Sequence, residues 1–456
     1  MKRIMIAGTH SGVGKTMLTA GLIYALRRRG LHVVPFKVGP DYIDPGFHAA
    51  AAGVPAGNLD SWMMPPEQVL EILQRRVPAD AIAVIEGVMG LYDGRKGQGE
   101  IGSSAHVAKI TGTPVVLVAS GAKMARSAAA LVGGYLHFDR DVPFAGIVFN
   151  QLSGESHFHL LEEAVNSYLS VPVFGYLAKD ERLAVPERHL GLLPAAENGD
   201  LTELFAYLAD LVEEKIDVNA VLASAAAAGP LPEPIRKIFP AKSERLSCRI
   251  AVARDEAFSF YYAENQELLS YFGAELVPFS PLHDDRLPEE SHGILLGGGF
   301  PEVFAAKLAQ NGAIRQAVKA AGLAGVPIYA ECGGYMFLAQ ELLDFTGQAW
   351  PMAGVFPGRA VMRKKRRALG YVEVTGLAEN FLLPENETCR GHEFHWSEME
   401  QVSAPVLFRK LPQGEVGGER FANCLGSYFH LHFFSNPNVA RRFVSACADY
   451  AKQGGR

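Results

Sequence analysis

Short apolar runs recur along residues 1–180, each followed by a stretch with helical spacing: RIMIAG (3–8), HVVPFK (32–37), AIAVIEG (81–87), PVVLVAS (114–120), AGIVFN (145–150) and VPVFGYL (171–177). Runs that are apolar on both faces predict buried parallel strands, and the intervening stretches predict βαβ units covering both sides of the sheet. Residues 1–225 therefore read as a doubly wound α/β domain that closes with a helix around 200–225. The pattern then lapses. AAAAGPLPEPIRKIFPAKSERL (225–246) is rich in alanine and proline and has no period, which places an interdomain linker at 226–247. A second α/β series over 248–456 starts with CRIAVARD (248–255), AELVPFS (274–280), HGILLGGG (292–299) and VPIYAEC (326–332).

Composition narrows this picture. A chain of 456 residues is too long for one core, and 48% hydrophobic with 20% charged residues is ordinary for a globular protein. Forty-nine acidic against 43 basic residues give a formal charge of −6, without the basic excess that nucleic acid would call for. The run RKKRR (363–367) is the exception, read either as a solvated surface loop or as a patch for an anionic ligand. The apolar stretch Ile4–Ala7 is too short for a signal peptide's core, and no window reaches an uninterrupted apolar 18-mer. A cytoplasmic location with no membrane partner is expected. The five cysteines (248, 332, 389, 424, 447) are scattered and lack CxxC spacing, so neither a disulfide framework nor a structural zinc site is expected.

IAGTHSGVGKTMLTAGLIYAL (6–26) reads as strand, glycine-rich turn and helix. Backbone amides of such a turn and of the helix N-terminus suit phosphate oxygens. Lys15 would neutralise the β/γ charge, and Thr16 would ligate magnesium. The usual GxxxxGK[ST] spacing would put glycine at position 9, which is Thr9; the chain has Gly8, Gly12 and Gly14 instead. In this shifted form, GTHSGVGKT resembles the loop of dethiobiotin synthetase and its relatives, which use ATP to activate carboxylates. The expected fold of this half is thus P-loop NTPase-like.

Such chemistry needs acidic groups for magnesium and substrate. FKVGPDYIDPGFHAAAAGVPAGNLDSWMM (36–64) holds Lys37, Asp41, Tyr42, Asp44, His48, Asn58 and Asp60 in a Gly/Pro-rich segment, and AVIEGVMGLYDG (83–94) ends an apolar strand with Glu86, followed by Asp93. Acidic residues at the carboxyl ends of parallel strands face the ligand crevice of an α/β sheet, although Asp41 and Asp44 also suit plain turns. Asn150 is either a contact to the nucleotide base or a strand-end cap.

In IYAECGGYMFL (328–338), Cys332 stands at a glycine-flanked turn between a strand and the expected helix MFLAQELLDF. That is nucleophile-elbow spacing, and a helix N-terminus would lower the thiol pKa. GSYFHLHFFSNP (426–437) supplies His430 and His432, alternating along one expected strand face. Gly298 and Gly299, with the amide of Gly333, are candidate oxyanion donors. Together they describe an acyl-transfer site.

On these motifs residues 248–456 resemble a class I (triad) glutamine amidotransferase domain, which implies a flavodoxin-like fold, L-glutamine as substrate, and Cys332 with His430 as nucleophile and base. The family usually carries glutamate two positions after the histidine. Here that position is His432, so the orienting third member is either His432 or Glu331. Across the whole chain, the domain order together with GPDYIDP, NLDSWM, MARSAAALV (124–132), ERHLGL (187–192), YAECGGYM and RGHEFHWS (390–397) resembles the cobyrinic acid a,c-diamide synthase family. The resemblance implies ATP, Mg2+ and glutamine, with two carboxylates of a cobyrinate-type tetrapyrrole amidated through acyl phosphates. Ammonia freed at Cys332 would travel by a dry passage. It also implies Gly8, Lys15 and Thr16 at the phosphates, with Asp41, Tyr42, Ile43, Asp44, Glu86 and Asp93 near the reacting carboxylate, ATP or magnesium (Thr16, Asp44 and Glu86 for the metal). Ser120 stands where relatives commonly carry aspartate. His392, Glu393 and His395 have either a structural role in a β-hairpin or contact substrate. The rivals are the same reaction on hydrogenobyrinate or nickel-sirohydrochlorin and, from another class, a nucleotide-switched binding protein without catalysis. Spacing does not give the oligomeric state.

Overall fold

The computed structural model describes the chain except residues 96–98, 184–186, 189–190, 198, 236–237, 240–245, 378–379, 403–405 and 455–456. Part of the expected linker and two residues of ERHLGL therefore lie outside the described residues. The chain divides into two compact units, Met1–Lys237 and Ile238–Arg456.

The first unit is built on a parallel sheet of seven strands: β1 (Lys2–Gly8), β2 (Val33–Val38), β3 (Gly57–Leu59), β4 (Ile82–Glu86), β5 (Val115–Ser120), β6 (Phe144–Leu152) and β7 (Val173–Ala178). Their order is β3-β2-β4-β1-β5-β6-β7. Six coincide with the apolar runs, because strands buried on both faces cannot alternate polar residues. β3 is a three-residue edge strand, GNL, with no apolar run to announce it. All strands run the same way, so their carboxyl ends share one edge, where the glycine-rich loop and α1 (Lys15–Arg28) follow β1, and α2 (Ile43–Ala52) follows β2. Register sets Lys37, near the end of β2, beside Glu86 at the end of β4.

The second unit carries a mixed sheet of ten strands. Five are parallel, in the order Ala274–Phe279, Cys248–Ala253, Gly293–Leu296, Ile328–Glu331 and Cys424–Ser427. The rest extend the sheet antiparallel through Val416–Phe421, Val406–Leu411, Ala368–Gly376, Thr388–His395 and His430–Leu431. The helix after Cys332 spans only Gly333–Leu338; Gln340 is already past its end, and Glu341–Leu343 is a strand of a smaller sheet. Among the described residues, no helix is long and apolar enough to cross a membrane, and the five cysteines are buried and free.

Candidate active sites

In the first unit, the loop after β1 turns back sharply. A Cβ at Gly8 would lie 2.5 Å from Val13 Cγ1 and 2.9 Å from Lys15 Cδ, and Gly14 caps α1 at φ 94°. Asn150 braces this turn: its Nδ2 donates to the Val13 carbonyl (2.8 Å), and its Oδ1 accepts from the Gln151 amide (2.8 Å). The amide thus caps the strand end and packs against the loop, with one N–H and one oxygen lone pair still open to a ligand. The Thr9 amide donates to the Val118 carbonyl (3.0 Å), which holds the loop to β5. The first turn of α1 has no acidic residue, which leaves its positive end available to an anion. Lys15 is buried and donates to the carbonyls of His10 (3.2 Å) and Met89 (2.6 Å). Burial and the neighbouring Lys37 bring its pKa down to about 8, against the pull of Glu86, Asp44 and Asp93.

Beside the loop lies a cluster of ionisable groups centred on Lys37, whose Nζ donates to Asp44 Oδ2 (2.6 Å) and Glu86 Oε1 (2.8 Å). Thr16 Oγ1 donates to the same Glu86 oxygen (3.0 Å), and His48 Nε2 meets the other. Burial works against the charge on Lys37, yet Asp44, Glu86 and Asp41 more than offset it and raise the pKa. Burial and Asp41 raise Asp44 to about 7, while Lys37 and His48 hold Glu86 down at about 2 despite its burial. The structure therefore brings Thr16, Asp44 and Glu86 together, and adds Lys37 and His48, which the sequence reading left without a role. Lys37 carries a local signal, an ionisable residue near the end of an apolar strand, whereas His48 lies within α2 and has none. Asp41 and Asp93 each brace a turn, and Asp41 also faces Lys37 with its second oxygen (4.0 Å). Asp41 Oδ1 accepts the amides of Ile43 (2.8 Å) and Asp44 (3.1 Å), and Asp93 Oδ2 accepts that of Gly90 (2.9 Å). Tyr42 and Ile43 sit at the start of α2, directly before Asp44.

No group of three or more histidine, cysteine, aspartate or glutamate side chains is arranged to hold a metal among the described residues. Magnesium needs less, since it takes one or two carboxylates and completes its shell with phosphate and water. The oxygens of Thr16, Glu86 and Asp44, gathered around Lys37, are the ones such an ion could take. Removing the cation at the centre would strand two carboxylates, one of them fully buried. Lys37→Met is expected to destabilise the first unit by about 3–5 kcal/mol in denaturant unfolding; unchanged stability would show that the cluster is not held by this ion pair.

In the second unit, Cys332 has φ 45° and ψ −101°, a strained conformation for a residue with a side chain, at the turn from the strand Ile328–Glu331 into the helix. Close packing enforces the turn. The Gly334 amide donates to the Gly297 carbonyl (2.9 Å), and a Cβ at Gly334 would lie 2.3 Å from the Leu296 carbonyl oxygen. A Cβ at Gly333 would sit 3.0 Å from the Gly299 nitrogen, and one at Gly298 only 2.5 Å from His430 Cε1. The loop 297–299 thus lies against the nucleophile turn on one side and His430 on the other. The Gly298 carbonyl accepts from the Phe260 amide (3.1 Å), and the amides of Gly298, Gly299 and Gly333 stay together as the candidate oxyanion donors.

The thiol does not behave as the sequence predicts. Burial first, then Glu302, push the Cys332 pKa up, with smaller pushes from Glu331 and Glu393 and the Gly333 amide pulling the other way. The helix is too short, and the site too enclosed, for the helix N-terminus to prevail. A second difference concerns His432. The strand stops at Leu431, and His432 opens a 3-10 turn over Phe433–Ser435. Its ring is fully buried, tilted against Tyr262 (centroids 4.5 Å apart), with neither nitrogen hydrogen-bonded among the described residues. Burial lowers its pKa to about 3, so it is a neutral packing group and not a partner of the base.

His430 pairs across the sheet with His392, the two rings stacked 4.7 Å apart, and His392 Nδ1 hydrogen-bonds the Tyr262 hydroxyl (2.8 Å). Burial and the neighbouring histidines hold His392 well below the usual imidazole range. Glu393 bonds His395 Nε2 (2.9 Å) and pairs with Lys410 (2.6 Å), at the wall of a cavity of about 370 Å³ that also includes Tyr428. In the basic run, Arg363 and Arg367 pair with Glu398, and Arg363 also with Glu400, while Lys364 and Lys365 stay exposed. Much of that patch is neutralised internally.

Residues 4–193 match the CobQ/CobB/MinD/ParA nucleotide binding domain family, and residues 249–438 match the CobB/CobQ-like glutamine amidotransferase domain family. Three proteins named cobyrinate a,c-diamide synthase align along nearly the whole chain. That of Dehalococcoides mccartyi is 43% identical over 450 residues, covering 97% of each chain. That of Priestia megaterium is 42% identical over 455 residues (99% of this chain, 98% of its own), and that of Salmonella typhimurium 41% over 452 (97% of each).

Proposed function

The chain belongs to the cobyrinate a,c-diamide synthase family, and from that premise we propose that it amidates the a- and c-side-chain carboxylates of cobyrinate in cobalamin biosynthesis, one after the other, with ATP and L-glutamine. Each amidation joins two half-reactions. In the first unit a carboxylate oxygen attacks the γ-phosphorus, ADP leaves, and an acyl phosphate forms. Lys15 meets the phosphate charge, and Lys37, fixed by Asp44 and Glu86, lies where charge is transferred. Magnesium bound with ATP would be held by Thr16, Glu86 and Asp44 and would offset phosphate charge. Ammonia then attacks the acyl carbon and phosphate leaves, which completes the amide.

In the second unit the Cys332 sulfur attacks the side-chain amide carbon of glutamine as its proton passes to His430. The oxyanion is met by the amides gathered at Gly298, Gly299 and Gly333, and the protonated imidazole returns the proton to the departing ammonia. Water then hydrolyses the thioester to glutamate. Burial disfavours the free thiolate, so His430 is the group to take the thiol proton as the sulfur attacks.

The observation that carries this reading is the pairing, in one chain, of a phosphate loop beside a buried Lys37–Glu86 ion pair with a cysteine at a strained elbow. Product analysis tests it. Cobyrinate, hydrogenobyrinate and nickel-sirohydrochlorin are each supplied with ATP and glutamine, and products are read by mass spectrometry. Two amide groups gained by cobyrinate are expected; conversion of only one of the other rings would reassign the substrate, and none at all would refute the reaction.

A further inference from the structure

We propose that Glu331, the residue directly before the nucleophile, is the positioning residue that orients His430 for proton transfer; this rests on the amidotransferase reading above and deepens it. A histidine base needs a third group to fix its ring and to stabilise the imidazolium that forms. His432, two residues beyond the base, makes no hydrogen bond among the described residues and carries no charge to offer.

Glu331 is buried, and its Oε2 lies 3.7 Å from His430 Nδ1. Its other oxygen is anchored twice, accepting from the Tyr329 hydroxyl (2.6 Å) and from the backbone amide of Leu431 (3.0 Å). The second bond matters most, because it ties the carboxylate to the residue adjoining the base. One glutamate is thereby fixed to the strand that leads into Cys332 and to the strand that carries His430. A separation of 3.7 Å is an ion-pair distance and not yet a hydrogen bond; catalytic contacts commonly tighten when substrate binds. With Nδ1 turned to Glu331, Nε2 is left to receive the thiol proton.

The other groups around the imidazole do not compete for this role. His392 stacks on its face and is held neutral by burial, His432 is neutral, and the loop at Gly298 contributes only backbone. Cys332 is the proton donor itself. Glu393 is taken by His395 and Lys410.

The test uses the full chain with Glu331→Gln and Glu331→Asp, reading glutamate release across pH together with amide formation from free ammonia. In Glu331→Gln, kcat for glutamine should fall about 10- to 100-fold with KM little changed, a share of the roughly 100- to 10,000-fold that a positioned base contributes. The low-pH limb of kcat/KM should move to lower pH, because a neutral amide stabilises the imidazolium less. Glu331→Asp should recover part of the rate and the original limb, and the ammonia-dependent reaction should be unaffected in both. Undiminished kcat in Glu331→Gln would overturn the proposal. So would a fall with an unmoved limb and no recovery in Glu331→Asp, which marks a packing role. No glutamate release by the unsubstituted chain would instead refute the amidotransferase reading.

Discussion

Cys332→Ala abolishes glutamine-dependent amide formation while free ammonia still supports it. The loss should reach roughly 10,000-fold or more, on the scale of deleting the nucleophile from other acyl-transfer enzymes. Nothing in the first unit's chemistry consults the sulfur: the acyl phosphate is formed with ATP and is attacked by ammonia whatever its source. Alanine is also a fair structural substitute. Cys332 is held at φ 45° by packing around Gly333 and Gly334 and by its own amide's bond to the Ser427 carbonyl (2.8 Å), none of which involves sulfur. Amide formation is therefore measured with each nitrogen donor, alongside glutamate release. Equal loss with both donors would show that the cysteine serves the fold or the amidation step, and the assignment of a separate glutaminase would fail.

Lys15→Ala is expected to suppress amide formation with both donors by about 100- to 1,000-fold, the cost of removing one donor aimed at developing charge, and to spare glutamate release. Lys15 is folded under the loop and holds it through the His10 and Met89 carbonyls, so its removal takes away both the charge and a brace. Burial and Lys37 bring its pKa to about 8, and a phosphate beside it would favour the charged ammonium. ATP-dependent phosphate release, followed with the same variant, separates the two contributions from a defect in ammonia supply. Undiminished amide formation would remove the phosphate role from this loop.

Much of the scaffold was legible because its strands are buried on both faces, and a short continuous apolar run bounded by turn residues suits little else in a globular domain. RIMIAG, AIAVIEG and PVVLVAS announce β1, β4 and β5 in this way. GNL did not, since a three-residue edge strand has no run to show. The glycine-flanked cysteine was legible as a turn, but its electrostatics were not: the sign of the thiol's shift depends on how deeply three carboxylates and the surrounding core enclose it, and no local spacing encodes that depth. His430 and His432 illustrate the same limit. Alternation predicts one strand face, yet the strand ends between them, and tertiary packing sends the second imidazole against Tyr262. Lys37 was visible as a residue but not as a centre, because its partnership with Glu86 depends on strand order, which crosses 49 positions of chain.

The enclosed, proton-bearing sulfur of Cys332 also bears on chemical durability. Peroxide, disulfides and alkylating reagents react with thiolate far faster than with thiol, so a buried nucleophile whose surroundings disfavour the thiolate is expected to react slowly with them between turnovers. The burial that raises the thiol is thus expected to slow its oxidation by peroxide in the absence of glutamine, in a protein whose five cysteines are free.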